Sequence, residues 1–455
     1  MDRCIKSDEI ILLFDRYTLE SRWLHESIKQ AGYECVAVVI EESDFLPKGV
    51  FSVYDLILGN YMHGVENSGK PKYYNEISVD DKWTINAGVN EGYGKITYQH
   101  VEKGRIFYAE TEKKYIVSAL EWYDRKGIPR FRDHFNRYGD ICARTVYDFQ
   151  GRPMSKTWLS PQGKEIIIEN FVTGDIILHD GEIVKLFWTK LDLFGYIFTQ
   201  MGFNENQIFF NSLSTPFFIS NILGGSEKKD ILFWQEPIQN EIPGNMQMIL
   251  DGRASRTQKV IVQKNSSYEK LIALGAEKEM VHKLGFIYPF EKENHHKPET
   301  LICTNSDEIE HCRELIEALP QMHFHIAAIT SMSPRLIELD AYKNVNLYPG
   351  AAGNVLDRLF QECDYYFDIN HHAEIVSSVY KAFLHNQIIF AFQETVHNRD
   401  YVLDDNVYLV SEFKKMVLDI KNVMENEVVM KEYIEKQHGH ALLENKETFK
   451  KMIDA

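Results

Sequence analysis

The first forty residues alternate between apolar runs and an amphipathic segment. The run EIILLF, residues 9–14, precedes a segment in which Leu24, Ile28 and Ala31 recur at helical spacing. Gly32, a favourable left-handed helix end, separates this segment from a second apolar run, VAVVI. Neither run alternates with polar residues, so the pattern predicts a βαβ unit whose parallel strands are covered on both faces.

The pattern changes after residue 66 to short runs rich in Tyr, Ile, Val and Thr. Within residues 123–164, glycines recur at twelve-residue intervals, and a polar residue stands three positions before each: Asp124, Gly127; Asn136, Gly139; Asp148, Gly151; Ser160, Gly163. Such pairs are typical of a type I turn followed by a bulge, and about eight residues between turns fit one strand. We therefore predict an antiparallel meander inserted into the first α/β domain.

Alternating strands and helices return after residue 190 and continue to about residue 430. A charged loop, GFIYPFEKENHHKPE, predicts the division between two α/β domains. The predicted fold class is α/β of the GT-B type: two Rossmann-like domains that face a cleft, with the meander inserted in the first. The predicted domains are 1–65 with 186–290, the insertion 66–185, the second Rossmann-like domain 291–430, and C-terminal helices 431–455 closing on the first domain.

Composition narrows the class of protein. The formal net charge of −17 argues against a general affinity for nucleic acid. Six scattered cysteines form no C-x-x-C pair, so neither a zinc site nor a disulfide framework is predicted from them. The N-terminal apolar run is too short for a signal peptide, and no stretch approaches the roughly 18 apolar residues of a membrane helix. We expect a cytoplasmic protein without a membrane span, reaching the inner face of the membrane only through a partner.

The meander is locally basic although the whole chain is acidic. Residues 123–164 hold nine Lys or Arg and four Asp. Alternation along strands suggests that one face carries Arg130, Arg132, Arg144, Arg152, Lys156 and Lys164. These cations are either an ordinary solvated, edge-protecting surface or a platform on which another chain docks.

The chain resembles a known family over nearly its whole length. The order of elements, with the pieces LFDRYTLESRWLHESI, FLPKGVFSVYDL, ENFVTGDIIL and WQEPIQNEIPGNM, is similar to the GtfB-type subunits of accessory Sec systems. The resemblance implies a non-catalytic subunit that stabilises a homologous cytosolic transferase. That transferase adds N-acetylglucosamine to Ser and Thr of serine-rich-repeat adhesins before their export.

The second domain lacks the residues that a retaining GT-B enzyme uses on its nucleotide-sugar donor. The E-x7-E motif of such enzymes aligns with Ala373 and Lys381, neither of which is a carboxylate; a shift of one residue would restore Glu374 but still leave no acid near Lys381. The loop 303–312, where a basic clamp on the diphosphate is expected, contains three acids and no Lys or Arg. Arg335 and Lys381 are the remaining cations that could contact a phosphate. The sequence therefore predicts a pseudo-glycosyltransferase with no catalytic residue, cofactor or metal.

Candidate acceptor-binding residues follow apolar strands. Trp, amide and carboxylate side chains suit sugars or an extended Ser-rich peptide, and the candidates are Trp234, Gln235, Glu236, Asn245, His371, His372 and Glu374. Trp234 is equally compatible with a core position. The adjacent histidines point to different faces, which argues against joint metal ligation.

Three functions remain open from the sequence. The preferred one is a hetero-oligomeric subunit that docks on its catalytic homologue through the meander and binds the adhesin acceptor; self-association through the meander is also compatible. The alternative is an active retaining GT-B transferase with an atypical UDP-sugar site. The third is a folding chaperone for the transferase that does not touch the acceptor.

Overall fold

The structure, a computed structural model, describes residues 9–42, 45–58, 69–88, 92–109, 115–224 and 229–454. The chain forms two compact units. Unit 1 comprises Met1–Ile261 and Lys270–His282, and unit 2 comprises Val262–Glu269 and Lys283–Ala455. The predicted domain boundary at residues 65 and 66 and the first eight residues of the chain lie outside the described ranges.

The α/β layer of unit 1 is built on a seven-stranded sheet with strand order β17-β16-β15-β14-β1-β2-β3. Its elements are β1 (Ile10–Phe14), α1 (Leu19–Gln30), β2 (Cys35–Val39), β3 (Val50–Ser52), α2 (Val53–Ile57), α3 (Lys190–Gln200), β14 (Ile208–Phe210), α4 (Thr215–Ile222), β15 (Asp230–Trp234), α5 (Gly244–Leu250), β16 (Thr257–Val262) and β17 (Val281–Lys283). Helix α6 (Asn265–Ala273) is divided between the two units. Strands β1 and β2 pair in parallel, and Leu24, Ile28 and Ala31 are buried. The predicted βαβ opening is confirmed.

The inserted meander is a ten-stranded sheet in which consecutive strands are neighbours. Its strands are β4 (Thr84–Asn86), β5 (Tyr93–Tyr98), β6 (Val101–Tyr108), β7 (Val117–Tyr123), β8 (Pro129–Phe135), β9 (Ile141–Tyr147), β10 (Pro153–Leu159), β11 (Glu165–Asn170), β12 (Ile176–Asp180) and β13 (Ile183–Phe187). Each pair is antiparallel, as predicted.

The twelve-residue repeat is a repeat of turns. Gly127, the first of the four glycines, has φ = +79°, and the other three also have positive φ. The Gly127 amide donates to the carbonyl of Asp124, and the Asp124 carboxylate accepts from two further amides of the turn. Glycine is required because other residues adopt this left-handed backbone at a cost.

The pairing register between neighbouring strands decides which face of the sheet a side chain occupies. On this point the sequence interpretation was wrong. Arg132 pairs with Thr145, which pairs with Lys156, whereas Arg144 pairs with Asp133. In the central part of these two strand pairs the paired positions differ by 11 or 13, so a step of twelve residues moves a side chain to the other face. The predicted basic residues therefore lie on both faces of the sheet.

One face of the meander packs on the α/β layer of unit 1. Trp158 stacks on Tyr54 with ring centroids 4.7 Å apart and planes 5° apart. Lys156 forms an ion pair with Glu42, which precedes β3. The other face has its own small core around Ile96, Ile106, Leu120 and Phe135.

Unit 2 contains a six-stranded parallel sheet with strand order β20-β19-β18-β21-β22-β23. Its elements are β18 (Glu299–Thr304), α7 (Cys312–Ala318), β19 (His323–Ala328), α8 (Pro334–Ile337), β20 (Val345–Tyr348), α9 (Gly353–Glu362), β21 (Tyr365–Asp368), α10 (Ser378–Leu384), β22 (Ile388–Phe392), β23 (Val407–Tyr408), α11 (Phe413–Glu425), α12 (Glu427–His440) and α13 (Lys446–Asp454). Its core includes Phe324, Phe367, Phe390 and Ile420.

The C-terminal helices have contacts within unit 2. On α12, Gln437 accepts a hydrogen bond from the amide of Ile389 and donates to the carbonyl of Gln387. The amide of Phe286 donates to the carbonyl of Leu442. Closure of these helices on the first domain stays a prediction.

Candidate functional site

Polar residues that are joined by hydrogen bonds follow the carboxyl ends of three neighbouring parallel strands in unit 1. Asp15 follows β1, Asn211 follows β14 and Gln235 follows β15. The Asn211 side-chain amide donates to Gln235 Oε1 and to Ser21 Oγ, both at 2.9 Å. The Gln235 amide in turn donates to the carbonyl of Glu20 at 3.1 Å. These bonds fix the loop ends on which an acceptor site was predicted.

The four predicted acceptor-binding residues in this region, Trp234, Gln235, Glu236 and Asn245, have different environments. Trp234 ends β15 and is only 4% exposed, so its ring is a core residue rather than a stacking platform. Gln235 is buried, and Asn245 donates to the carbonyl of Leu213 at 2.8 Å, so both position the loops. Glu236 is exposed, and the partial desolvation of its carboxyl, together with the negative charge of Asp15, raises its pKa. Of the four, Glu236 is the side chain best placed to meet a ligand.

A cavity of about 630 Å³ lies beside the first βα loop and the meander. Its lining includes polar groups that sequence reasoning missed; the full set is Tyr17, Thr18, Leu19, Arg22, Glu42, Phe45, Leu46, Pro47, Tyr108, Ala109 and Ser118. The Tyr17 hydroxyl and His25 Nδ1 are 2.8 Å apart. Burial lowers the pKa of His25 to about 4, so this ring is neutral at neutral pH. The available signal was the polar stretch DRYTLESR directly after a buried strand.

In unit 2, the loop after β18 lines an acidic cavity of about 570 Å³. The charged lining residues are four acids and two arginines: Asp307, Glu308, Glu310, Glu314, Arg313 and Arg335. Two acids pair with the predicted histidines, Glu310 with His371 at 2.7 Å and Glu308 with His372 at 3.0 Å. Carboxylates therefore outnumber guanidinium groups where a GT-B enzyme would hold a diphosphate.

Arg335 and Lys381, the two cations that could contact a phosphate, have different positions. Arg335 lines this cavity, whereas Lys381 on α10 is paired with Asp357 at 3.5 Å and lies over the ring of Phe360. Ala373 is exposed. No carboxylate stands at either position at which the E-x7-E motif was sought.

A buried acid–imidazole pair at the ends of β21 and β22 had no signal in the sequence. Asp368 is 2% exposed and accepts from His397 Nδ1 at 2.5 Å and from the His397 amide at 2.7 Å. The hydrogen bond and the charge of Asp368 raise the pKa of His397 to about 9. Glu374 accepts from the Val379 amide at 2.7 Å, and burial raises its pKa. The pair orders the loop that contains His372, because His397 Nε2 donates to the His372 carbonyl.

The meander surface combines cations with exposed apolar side chains. Arg144 is paired with Asp133 at 2.6 Å, and Arg152 with Asp148 at 2.7 Å. Arg130 lies 4.5 Å from the ring centroid of Phe149, and Arg132 lies 4.1 Å from that of Phe107. More than half of the surface of each of the following apolar residues is exposed: Phe149, Val172, Ile183, Val184, Leu186 and Trp188. We call these six residues the apolar patch: Ile183, Val184 and Leu186 lie on both faces of β13, Trp188 directly follows it, and Phe149 and Val172 lie in two turns of the meander.

Lys156 has a different role from the one predicted. Its ion pair with Glu42 leaves its side chain only 13% exposed. It contributes to contact between the meander and the α/β layer of unit 1.

Four protein-family models match successive parts of the chain. They are the GtfB N-terminal domain over residues 11–56, the GtfB middle domain over 83–188, the GtfB third domain over 190–274, and the GftB/GlyA-F C-terminal domain over 300–437. The middle-domain match spans the meander. None of the described helices is long and apolar enough to cross a membrane.

Named relatives cover almost the whole chain. A UDP-N-acetylglucosamine–peptide N-acetylglucosaminyltransferase stabilizing protein, GtfB of Streptococcus agalactiae, is 38% identical over 446 residues, 98% of this chain and 99% of that protein. The protein of the same name from Streptococcus gordonii is 36% identical over 436 residues, 95% of each chain. A chain in the crystal structure of a GtfA/B complex bound to UDP and GlcNAc has a TM-score of 0.86 at 34% identity and covers 98% of this chain and 99% of that chain. This likeness confirms the predicted GT-B fold class with an inserted antiparallel sheet.

Proposed function

The chain belongs to the GtfB family of N-acetylglucosaminyltransferase-stabilizing proteins, and from this membership we propose that it is the non-catalytic subunit of a peptide O-GlcNAc transferase complex. It stabilises a homologous catalytic subunit and holds a Ser/Thr-rich adhesin acceptor for glycosylation in the cytoplasm, before export by the accessory Sec pathway. The observation that carries the proposal is the match, over 98% of the chain, to proteins named for stabilizing such a transferase.

The charge of the unit 2 cavity supports the absence of catalysis. A departing nucleoside diphosphate needs positive groups, and loss of one preorganised donor typically costs about 10²–10³ in rate. Here four carboxylates and two arginines line the cavity. Because Lys381 is paired with Asp357, it does not offset this deficit.

The apolar patch supports docking of the partner on the meander. Large exposed apolar areas on soluble proteins commonly mark interaction sites. Strand β13 is an edge strand of the sheet, and Ile183, Val184 and Leu186 on it are exposed. Arg144 and Arg152 remain candidates for rim contacts, since their side chains are exposed and their acidic partners are close by.

The carboxyl edge of the unit 1 sheet suits an acceptor peptide. The carboxylates of Asp15 and Glu236 accept hydrogen bonds, and serine hydroxyls and peptide amides donate them. The fixed side chains of Asn211 and Gln235 hold the loops that present these acids. We propose Glu236 as an acceptor-contact residue.

The first experiment measures transfer of GlcNAc from UDP-GlcNAc to a Ser-rich peptide by this protein alone, by the catalytic homologue alone, and by the mixture. We expect sustained transfer only when the homologue is present, with more product and slower inactivation in the mixture. Transfer at an enzymatic rate by this protein alone would support the active-transferase alternative, as would its stoichiometric binding of UDP-GlcNAc.

A matched pair of variants tests docking. Val184 in the patch and Val428 at the start of α12 are both 66% exposed. We expect Val184→Ser to weaken binding to the catalytic homologue, measured by calorimetry, and Val428→Ser to leave it unchanged. Equal affinities of the two variants would contradict docking through β13.

Acceptor binding is tested on an unmodified Ser-rich peptide. We expect Glu236→Gln to weaken peptide binding by the complex while Glu241→Gln, an exposed acid in the same loop, does not. If the isolated chain and the complex both bind the peptide no better than the homologue alone, the protein acts as a chaperone of the transferase only.

A further inference from the structure

Three side chains of types that can ligate a metal meet at the amino-terminal edge of the unit 2 sheet. Glu299 begins β18, and His323 and His325 lie at the start of β19. Glu299 pairs directly with His323 in the parallel ladder. Positions two apart on a strand share a face, so the topology aims all three side chains to one side.

The donor atoms are close enough for one ion. The carboxylate and imidazole donor atoms of the three residues all lie within 4.8 Å of one another. Glu299 Oε2 and His325 Nε2 are 2.8 Å apart, and the two imidazole rings are 5.1 Å apart between centroids. Two ligands that each lie about 2.0–2.1 Å from a tetrahedral zinc ion are about 3.3 Å apart. Small side-chain rotations would therefore bring the three donors to bonding distance.

A hydrogen bond from the neighbouring strand fixes the orientation of one imidazole. Tyr348, the last residue of β20, has its hydroxyl 2.9 Å from His325 Nδ1. With Nε2 bound to a metal, Nδ1 carries the proton and donates it to the tyrosine oxygen. Such outer partners are a regular feature of histidine–zinc sites and set the tautomer of the ligand.

The chemistry of the donors selects the ion. Two imidazoles and one carboxylate with an open fourth position form a donor set used by zinc, whereas calcium and magnesium prefer sites made of oxygen atoms. We propose that Glu299, His323 and His325 form a Zn²⁺ site that joins β18 to β19. The site lies at the strand ends opposite to the acidic loop, so its role is to stabilise unit 2 by binding the folded state.

The proposal is tested by metal titration of the full chain after treatment with a chelator. Zn²⁺ binding is measured by calorimetry, and Co²⁺ is used as a spectroscopic probe because its visible absorption reports tetrahedral coordination by nitrogen and oxygen. We expect one saturable high-affinity site per chain and a rise in the melting temperature on adding Zn²⁺.

Variants separate this site from the other histidines of the chain. His323→Gln and Glu299→Gln should each weaken Zn²⁺ binding at least 100-fold, since loss of an outer partner alone costs about 10–100-fold. Tyr348→Phe should weaken Zn²⁺ binding by only about 10–100-fold. The control is His371→Gln, which removes another imidazole that is paired with a carboxylate and should leave the affinity unchanged.

The result that overturns the proposal is the absence of a saturable site in the parent protein, or an equal loss of affinity in His371→Gln and His323→Gln. Circular dichroism of each variant shows whether it is folded. The His323 side chain makes no hydrogen bond within the described part of the chain, and its backbone amide, which donates to the Pro298 carbonyl, is kept in the variant, so replacement by Gln should be tolerated by the fold.

Discussion

The buried ion pair of Arg256 and Asp230 permits a quantitative prediction about unit 1. Their side chains are 2% and 0% exposed, and the guanidinium contacts both carboxylate oxygens, at 2.9 and 3.0 Å. Arg256 also donates to the carbonyls of Asn204 and Asn206 at 2.8 and 2.6 Å. The pair thereby connects β15 and β16 with the segment before β14.

Replacement of Arg256 by Met leaves the buried Asp230 carboxylate without a cation, with the Ser220 hydroxyl and the Ile208 amide as its remaining donors in the described part of the chain, and removes the Arg256 hydrogen bonds to the Asn204 and Asn206 carbonyls. Breaking a buried pair in this way typically costs about 3–5 kcal/mol. For a domain of this size, each kcal/mol lowers the melting temperature by about 2–4 °C, so we expect a fall of about 6–20 °C. The double variant Asp230→Asn, Arg256→Met should lose less stability than the two single variants lose together, because it contains no buried unpaired charge at either position.

Calorimetric unfolding of the purified chain measures the effect. The control is Arg253→Met, which breaks an ion pair with Asp251 at a similar distance, 2.6 Å, but on the surface, where such pairs contribute about 0–1 kcal/mol. A fall in Arg256→Met no larger than that in Arg253→Met would refute the reasoning.

Three further predictions follow from features of both units. The raised pKa of His397 means that its ion pair stabilises unit 2 fully below about pH 6.5 and that this contribution is lost as the pH rises through about 9; the melting temperature of the parent should therefore fall more between pH 7 and 10 than that of His397→Asn. Trp158→Ala removes the ring stacked on Tyr54 and should cost about 3–5 kcal/mol in urea unfolding, whereas Trp158→Phe should cost less. Gly163→Ala should lower the free energy of unfolding by about 1–2 kcal/mol, since its Cβ would meet open space and only the positive φ is unfavourable. Gly139→Ala should lower it more, because its Cβ would lie 2.6 Å from the carbonyl oxygen of Lys70. A smaller loss of stability in Gly139→Ala than in Gly163→Ala would contradict this explanation.

Local patterns predicted most of the architecture. The turn chemistry of the twelve-residue repeat and the spacing of Leu24, Ile28 and Ala31 depend on neighbours in sequence, and the structure has both features. Similarly, the acidic loop after β18 was evident from composition alone.

Features that depend on pairing between distant segments were missed or misassigned. Asp368 and His397 are separated by 29 positions and meet only because β21 and β22 are neighbours. The faces of Arg132 and Arg144 depend on cross-strand register, which the repeat length does not reveal. Trp234 ends a strand whose five residues are all buried, and the sequence did not separate that position from an exposed one.

The consecutive antiparallel order of the inserted sheet limits how it can evolve. Loss or gain of one repeat would reverse the direction of every later strand, so the chain would leave the sheet at the wrong end to begin α3. Loss or gain of two repeats, about 24 residues, keeps the end of the sheet at which the chain leaves and the facing of each side chain. Homologous insertions that share this exit should therefore differ in length by whole hairpins.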